Sequence, residues 1–322
     1  MVVSRTYPSC LLMNKPTISA IIPAHNAELT LLSAASSVLN QSFKDIELII
    51  VDDGSSDRTL EIARSISDQR VSVLSQRNSG PGAARNVGLN AASGRWVAFL
   101  DADDTWELDF FSTALDTLSE YPQILFYFGK SQSNTATIPQ SLPFSKQSPY
   151  VFKANRNATT KSLRRQIELS LCVMLGDRKC IQLLGGYYEK NKCTYGEDSV
   201  LSFLILWLYP VIKSPKVVHT YNQSEAGLSL SRHTNVQARA MVVDSDYLYQ
   251  RLPHDSHRAA HKYISYLASI DAYRLAKVGK STEGYQLIKE NQILNYAYQP
   301  RILLSLFRFV FYTVKSQFKY RA

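Results

Sequence analysis

The sequence has few cysteines, and they are poorly spaced for metal or disulfide chemistry. Cys10, Cys172, Cys180 and Cys193 are the only four in 322 residues, and no two stand at C-x-x-C spacing. Neither a zinc site nor a disulfide framework is expected, and the thiols read as reduced, in a cytoplasmic protein. Long apolar runs are also missing. Val200–Ile212 is broken by Pro210 and Ile302–Val314 by Arg308, so neither reaches the roughly 18–20 residues that span a bilayer. The N-terminus, MVVSRTYPSCLLMNKP, carries Arg5, Pro8 and Lys15 where a secretory leader needs a continuous apolar stretch, so no signal peptide is expected. No internal repeat occurs. After Gly80-Pro81-Gly82 the next glycine, Gly88, comes too late for the G-x-G-x-x-G fingerprint of dinucleotide folds.

What is present is ordinary core-forming material, 45% hydrophobic and 20% charged, so most of the chain should fold. A net charge of +9 favours anionic partners such as nucleotides, nucleic acid or an acidic membrane surface. No nucleic-acid-binding motif accompanies it.

The first hundred residues alternate strand and helix signals. Ile18–Ile22, Glu47–Val51, Val71–Leu74 and Trp96–Leu100 read as buried strands. Between them, Ala27–Asn40 (capped by Asn26), Arg58–Ser67 (capped by Asp57) and Gly82–Ala92 (stopped by Gly94) read as helices. This is the pattern of a parallel sheet covered on both faces. The polar clusters PAHN, DDGSSD, NSGPG and DADD follow the four strands, and in such sheets ligands bind at the carboxyl edge. Farther on, Leu108–Glu120 reads as a helix and Ile124–Phe128 as a strand. Residues 131–160 read as a loop, Ser162–Leu175 as a helix, and Ser199–Tyr209 as an apolar helix closed by Pro210. From residue 236 the period is mostly helical.

Asp101 and Asp103 are the sharpest chemical pair. As i and i+2 at the end of an extended strand they project to one side. Two carboxylates placed so suit Mg²⁺ or Mn²⁺, which bind through one or two acids plus substrate phosphates. Asp53 can accept hydrogen bonds from a base or ribose, while Asp52 can serve the turn. Arg85 can reach a phosphate or pair with Asp101 or Asp103. Glu197 and Asp198 stand at the head of an apolar helix, where acids also suit the helix dipole.

The stretches SAIIPAHNAE, SVLNQSFKDIELIIVDDGSSDRT and RNSGPGAARNVGLNAASGRWVAFLDADD, with a later GED, resemble the family 2 glycosyltransferases of the GT-A fold. The resemblance runs from Thr17 to Trp106 and resumes more loosely over Leu175–Leu206. It implies an α/β, Rossmann-like, mainly parallel sheet with a helical C-terminal extension. The implied layout is an extension over 1–15, a glycosyltransferase domain over 16–232 and a helical region over 233–322. Within the middle part, 16–106 would bind the nucleotide and 107–232 the acceptor. Pro23, His25, Asn26 and Glu28 would line the nucleotide pocket, with His25 where the family usually has Tyr. Asp53 would hold the base, and Asn78, Gly82 and Arg85 would border the nucleotide. Asp101 would touch ribose or metal, Asp103 would ligate Mn²⁺ or Mg²⁺, Asp198 would be the general base and Glu197 would lie near sugar hydroxyls.

The implied activity is inverting transfer from a nucleotide-sugar, a UDP-sugar first, to a saccharide or lipid-linked saccharide in cell-surface polysaccharide synthesis. The alternatives are an inactive nucleotide-sugar-binding scaffold on the same fold and a nucleotidyltransferase. The latter would need a Gly-rich basic loop where PAHNAE stands. His219, His233, Tyr221 and Ser229 are secondary candidates for a third metal ligand or the acceptor side.

Arg301, Ser305, Arg308, Tyr312, Lys315 and Lys319 form one stripe of the last helix beside a broad apolar face. That composition suits a helix lying on the anionic inner face of the cytoplasmic membrane, or one docking on protein.

Overall fold

The structure is a computed structural model and describes residues 15–133, 148–154, 171–193, 195–222, 236–297 and 299–319. Four apolar segments build the first half of its sheet. β1 (Ile18–Ala24), β2 (Ile46–Asp52), β3 (Val71–Ser75) and β4 (Trp96–Phe99) run parallel in the order β3-β2-β1-β4. Ile18, Ile21 and Ile22, Leu48 and Ile50, and Val97 and Ala98 are fully buried, as strands covered on both faces must be. The crossovers are α1 (Leu31–Leu39), α2 (Thr59–Ser65) and α3 (Pro81–Ala91). α3 lies close on the sheet because Gly88 faces it, where a Cβ would come within 2.4 Å of Ile21 Cγ2. The register pairs Ala24 with Asp52, Asp52 with Ser75 and Ile21 with Phe99. All four following loops therefore leave from one edge.

Beyond β4 the strand directions mix. β5 (Thr105–Trp106) and β7 (Tyr150–Phe152) each pair antiparallel with β9 (Val211–Tyr221), which runs parallel to β6 (Phe126–Ser133). β8 (Met174–Asp177) joins the halves, antiparallel to both β4 and β6. The architecture is mixed α/β with the parallel part where the sequence pattern placed it. α4 (Phe110–Glu120), α5 (Arg178–Leu183) and α6 (Glu197–Leu208) complete this layer. α6 is buried from Val200 to Trp207.

The C-terminal part is helical: α7 (Ala240–Val243), α8 (Ser245–Tyr249), α9 (His257–Lys277), α10 (Ser281–Glu290) and α11 (Pro300–Lys319). α10 and α11 meet α9 tightly at Gly284, where a Cβ would lie 2.8 Å from the Ala272 carbonyl oxygen and 2.8 Å from the Phe309 ring.

Several local expectations are corrected. Asn26 does not cap α1, which begins at Leu31 after Thr30; Asn26 sits at φ 50°, a left-handed conformation that asparagine tolerates. Gly94 is not a left-handed stop. It is small because β1 is near: a Cβ there would come within 2.8 Å of the Ser19 amide. Of the helix expected over 162–175, residues 171–173 form a 3₁₀ turn and Met174–Leu175 begin β8, while the earlier part lies outside the described residues. The loop expected over 131–160 includes the end of β6 and all of β7. Asp57 does act at the head of α2, its Oδ1 accepting from the Thr59 amide at 3.0 Å.

Lys213 is an unusual member of β9, only 2% exposed. Burial pushes its ammonium down to about 7 from an ordinary 10.5. Between those values the unfolded chain holds one more proton than the folded one, so stability rises with pH in this window, by up to about 1.4 kcal/mol per pH unit. Lys213→Met should remove that slope. Urea unfolding of both proteins at pH 7.5 and 9.5 checks this, and a slope that survives the substitution would assign it to other groups.

Candidate active site

The loops at the carboxyl edge are tied to one another before any ligand is considered. Asp53, 3% exposed, accepts from Gln76 Nε2 at 2.7 Å and from the amides of Ser79 and Gly80 at 2.8 Å each. It thereby shapes the 76–80 loop that leads into α3. Asp52 accepts from the Ser55 amide and the Ser75 hydroxyl. Asn26 Oδ1 accepts from the Ser56 amide at 2.9 Å, and Glu28 Oε2 from the Arg58 amide at 3.1 Å. His25 lies between the Asp53 carbonyl, 3.0 Å from Nδ1, and the Asn78 side-chain nitrogen Nδ2, 3.2 Å from Nε2. Pro23 is the penultimate residue of β1. The side chains expected to line a nucleotide pocket thus form one connected group, with much of their hydrogen-bonding capacity spent on the loops themselves.

Gly82 opens α3 against the chain from Gly185 to Tyr188. A Cβ on Gly82 would lie 2.4 Å from the Tyr188 carbonyl oxygen, and one on Gly186 (φ +69°) 2.4 Å from Asn86 Oδ1. Asn86 fills the space so left. It accepts from the Tyr187 amide at 2.8 Å and donates to the Tyr187 carbonyl at 2.9 Å and Glu189 at 2.7 Å. The sequence motif gives this asparagine no role of its own; the double glycine at 185–186 is the signal in the sequence of a close neighbour.

One residue earlier in the same helix, Arg85 joins the two acidic clusters. Its Nη2 donates to Asp101 Oδ1 at 2.6 Å and its Nη1 to Glu197 Oε1 at 3.0 Å. The Tyr187 ring lies 4.9 Å away. Burial works against the guanidinium charge, but Asp101, then Tyr187 and Glu197, outweigh it and keep Arg85 charged. Of the two roles open to Arg85 from the sequence, carboxylate pairing is the one in place. Glu197 is itself buried, and burial followed by the adjacent Asp198 pushes its carboxyl up, against the pull of Arg85. Asp198 is half-buried and accepts from the Ser199 amide at 2.7 Å.

Asp101, Asp103 and Asp104 each offer a carboxylate oxygen, all within 4.8 Å of one another. Such a cluster of hard oxygens, half-exposed at Asp101 and Asp103, fits Mg²⁺ or Mn²⁺. Asp104 is only 2% exposed; its Oδ2 lies 2.9 Å from His219 Nε2, and its Oδ1 accepts from the Asn222 amide at 3.1 Å. Burial raises its carboxyl, with His219 opposing. His219 also meets the Ser131 hydroxyl at 2.9 Å. Strand β9 thus brings His219 to the acidic loop, by pairing it with Trp106. His233 and Ser229 lie outside the described residues. Tyr221 ends β9.

Removing Arg85 would leave Glu197 charged and unpaired in a buried place. Arg85→Met is expected to cost about 3–5 kcal/mol, read as a lower urea midpoint at pH 7. The loss should shrink in Arg85→Met/Glu197→Gln, where the stranded charge is gone.

Residues 19–172 match the family model described as Glycosyl transferase family 2. An uncharacterized glycosyltransferase of Haemophilus influenzae is 50% identical over 95 residues, covering 29% of this chain and 38% of that protein. The UDP-Glc:α-D-GlcNAc-diphosphoundecaprenol β-1,3-glucosyltransferase WfgD of Escherichia coli is 43% identical over 95 residues, again 29% of this chain and 38% of that protein. The matches therefore span well under half of these relatives. In solved structures, S. aureus TarS 1–349 in complex with UDP-GlcNAc superposes with a TM-score of 0.69 at 17% identity, over 95% of this chain and 91% of that one. The shared fold is GT-A. The loops after β1, β2, β3 and β4 all fall inside residues 19–172, the segment that matches glycosyl transferase family 2.

Proposed function

We propose that the protein is an inverting glycosyltransferase that moves a sugar from a UDP-sugar to a saccharide or lipid-linked saccharide acceptor of a cell-surface polysaccharide. The observation that carries this reading is the meeting, through Arg85, of the D-x-D loop with the Glu197–Asp198 pair. Asp198 takes the proton of the acceptor hydroxyl as that oxygen attacks C1. The bond from C1 to the diphosphate oxygen breaks as the new C–O bond forms on the opposite face, so no sugar–enzyme intermediate is needed. Glu197 sits beside the base, facing sugar hydroxyls. Asp53, His25 and Asn78 place the base and ribose, with Pro23, Asn26, Glu28 and Gly82 around them. Asp103, with Asp101, would hold a divalent ion, which when bound offsets charge on the diphosphate. The relative WfgD, named for a UDP-Glc donor and a diphosphoundecaprenol-linked acceptor, supports this donor and acceptor class.

The last helix supports a membrane-proximal acceptor. α11 docks through Ile302, Ser305 and Phe309, with Arg308 5.7 Å from the Tyr273 ring. Its other side exposes Leu303, Leu304, Phe307, Val310, Phe311 and Val314. Ser305 of the polar stripe is therefore on the docking side, while Arg301 and Arg308 are exposed alongside the apolar side chains. Residues 300–322 include Arg301, Arg308, Lys315, Lys319 and Arg321 and no acid. Two copies of this face would bring like charges together, whereas an anionic bilayer meets both the apolar side chains and the cations. Among the described residues no helix is long and apolar enough to cross a membrane, so α11 would lie along the surface.

Calorimetry should show Mn²⁺-dependent UDP binding, lost in Asp103→Ala. Asp198→Asn should still bind UDP while turnover falls about 10²–10⁴-fold. Binding without turnover in the wild type would instead support a scaffold. Phe307→Asp/Phe311→Asp should release the protein from phosphatidylglycerol-containing vesicles. A chain cut before Gln299 that still pellets with them would overturn the membrane reading, as would a dimer, dissolved by the same double substitution, that never binds vesicles.

A further inference from the structure

The short segment before Glu197 is held from outside the sheet layer. Tyr195 meets two guanidinium groups, with Arg274 Cζ 4.8 Å and Arg239 Cζ 5.5 Å from its ring centroid. Arg274 also donates to the Tyr195 hydroxyl. The Tyr195 carbonyl accepts from the Ala240 amide at 3.2 Å. Gly196 follows at φ +80°, and a Cβ there would lie 3.3 Å from Arg239 Cβ. Glu197 and Asp198 come next, as the first residues of α6.

Both arginines converge on Asp271 of α9, which has no exposed surface. Asp271 accepts from the Arg239 amide at 2.9 Å and from its Nη1 at 2.6 Å, and Arg274 Nη1 is 3.6 Å away. A buried carboxylate is expensive, and apolar side chains of similar volume often fill such a place at equal or better stability. A carboxylate does what an apolar residue cannot: it fixes two arginines that contact Tyr195. α9 is in turn packed by α10 and α11 around Gly284.

We propose that Asp271, Arg239 and Arg274 are positioning residues that act through Tyr195 to set the first turn of α6, so that the C-terminal helices form part of the apparatus orienting Asp198. The inference rests on the reading of Asp198 as the base. Arg85 grips Glu197 from the nucleotide side, and the Tyr195 clamp grips the same turn from the helical side. Loss of either leaves the turn held at one point.

The test uses the full chain carrying Asp271→Asn, Tyr195→Ala or Tyr195→Phe, with Asp198→Asn as reference. The readouts are hydrogen exchange at the amides of residues 197–201, melting temperature, and kcat and donor KM for UDP-sugar turnover. Asp271→Asn and Tyr195→Ala should speed exchange in that turn and lower kcat about 10–100-fold through misplacement of the base, with donor KM unchanged. Tyr195→Phe, which keeps the ring against the arginines, should restore most of kcat. Should Asp271→Asn fail to fold, the Tyr195 pair decides alone. The clamp is overturned by wild-type kcat and exchange in Tyr195→Ala, or by losses of kcat and donor binding that simply track a lower melting temperature. Full activity in Asp198→Asn would instead sink the assignment of the base, while an inactive Asp198→Asn beside wild-type clamp variants would sink the clamp only.

Discussion

A single guanidinium holds the site together. Arg85 is 7% exposed and spans from the loop after β4 to the head of α6, pairing with Glu197 across 112 positions of sequence. Burying a cation is costly unless opposite charge and hydrogen bonds replace the lost water. Two carboxylates and an aromatic ring do so here, and each carboxylate is in turn held by the arginine. The D-x-D loop and the Glu197–Asp198 pair are therefore one electrostatic unit. This coupling also explains why Glu197 can be buried beside another acid at all.

The arrangement depends on how close α3 comes to its neighbours. Gly88 lets the helix settle on β1, and Gly82 lets its first turn approach the backbone at Tyr188. Asn86, one residue from Arg85, bonds both backbone groups of Tyr187, whose ring lies under the arginine. Sheet, helix and the 185–189 segment are thus locked at spacings set by absent side chains. Arg85 works only because that distance is short.

Charge is divided across the molecule. The net charge is +9, yet the proposed donor site gathers Asp52, Asp53, Asp101, Asp103, Asp104, Glu197 and Asp198. The acids that would be used in chemistry are partly exposed, and the others are consumed by loop amides, His219 or Arg85. The excess of cations includes those of the last helix, which has no acids of its own. Such an arrangement favours anionic partners over the basic surface, and in the proposed function the acidic centre is kept for a cation and a sugar hydroxyl.

The parallel half of the fold was legible because β1, β2 and β4 are buried on both faces, which writes uninterrupted apolar runs into the sequence. The loop motifs were legible because fixed spacings of Asp, Asn and Gly follow those runs directly. β9 escaped notice because Lys213, Ser214 and Pro215 interrupt its apolar pattern, and β8 because its four residues are too few to show a period. The sequence by itself determined which side chains stand at the carboxyl edge, since strand ends and loop composition are local properties. Only the tertiary structure decided which of them meet: Arg85 with Glu197, His219 with Asp104, Asp271 with Arg239. Those pairings join segments about 30 to 115 residues apart, and nothing in local propensity or spacing encodes the partner of a charge so far along the chain.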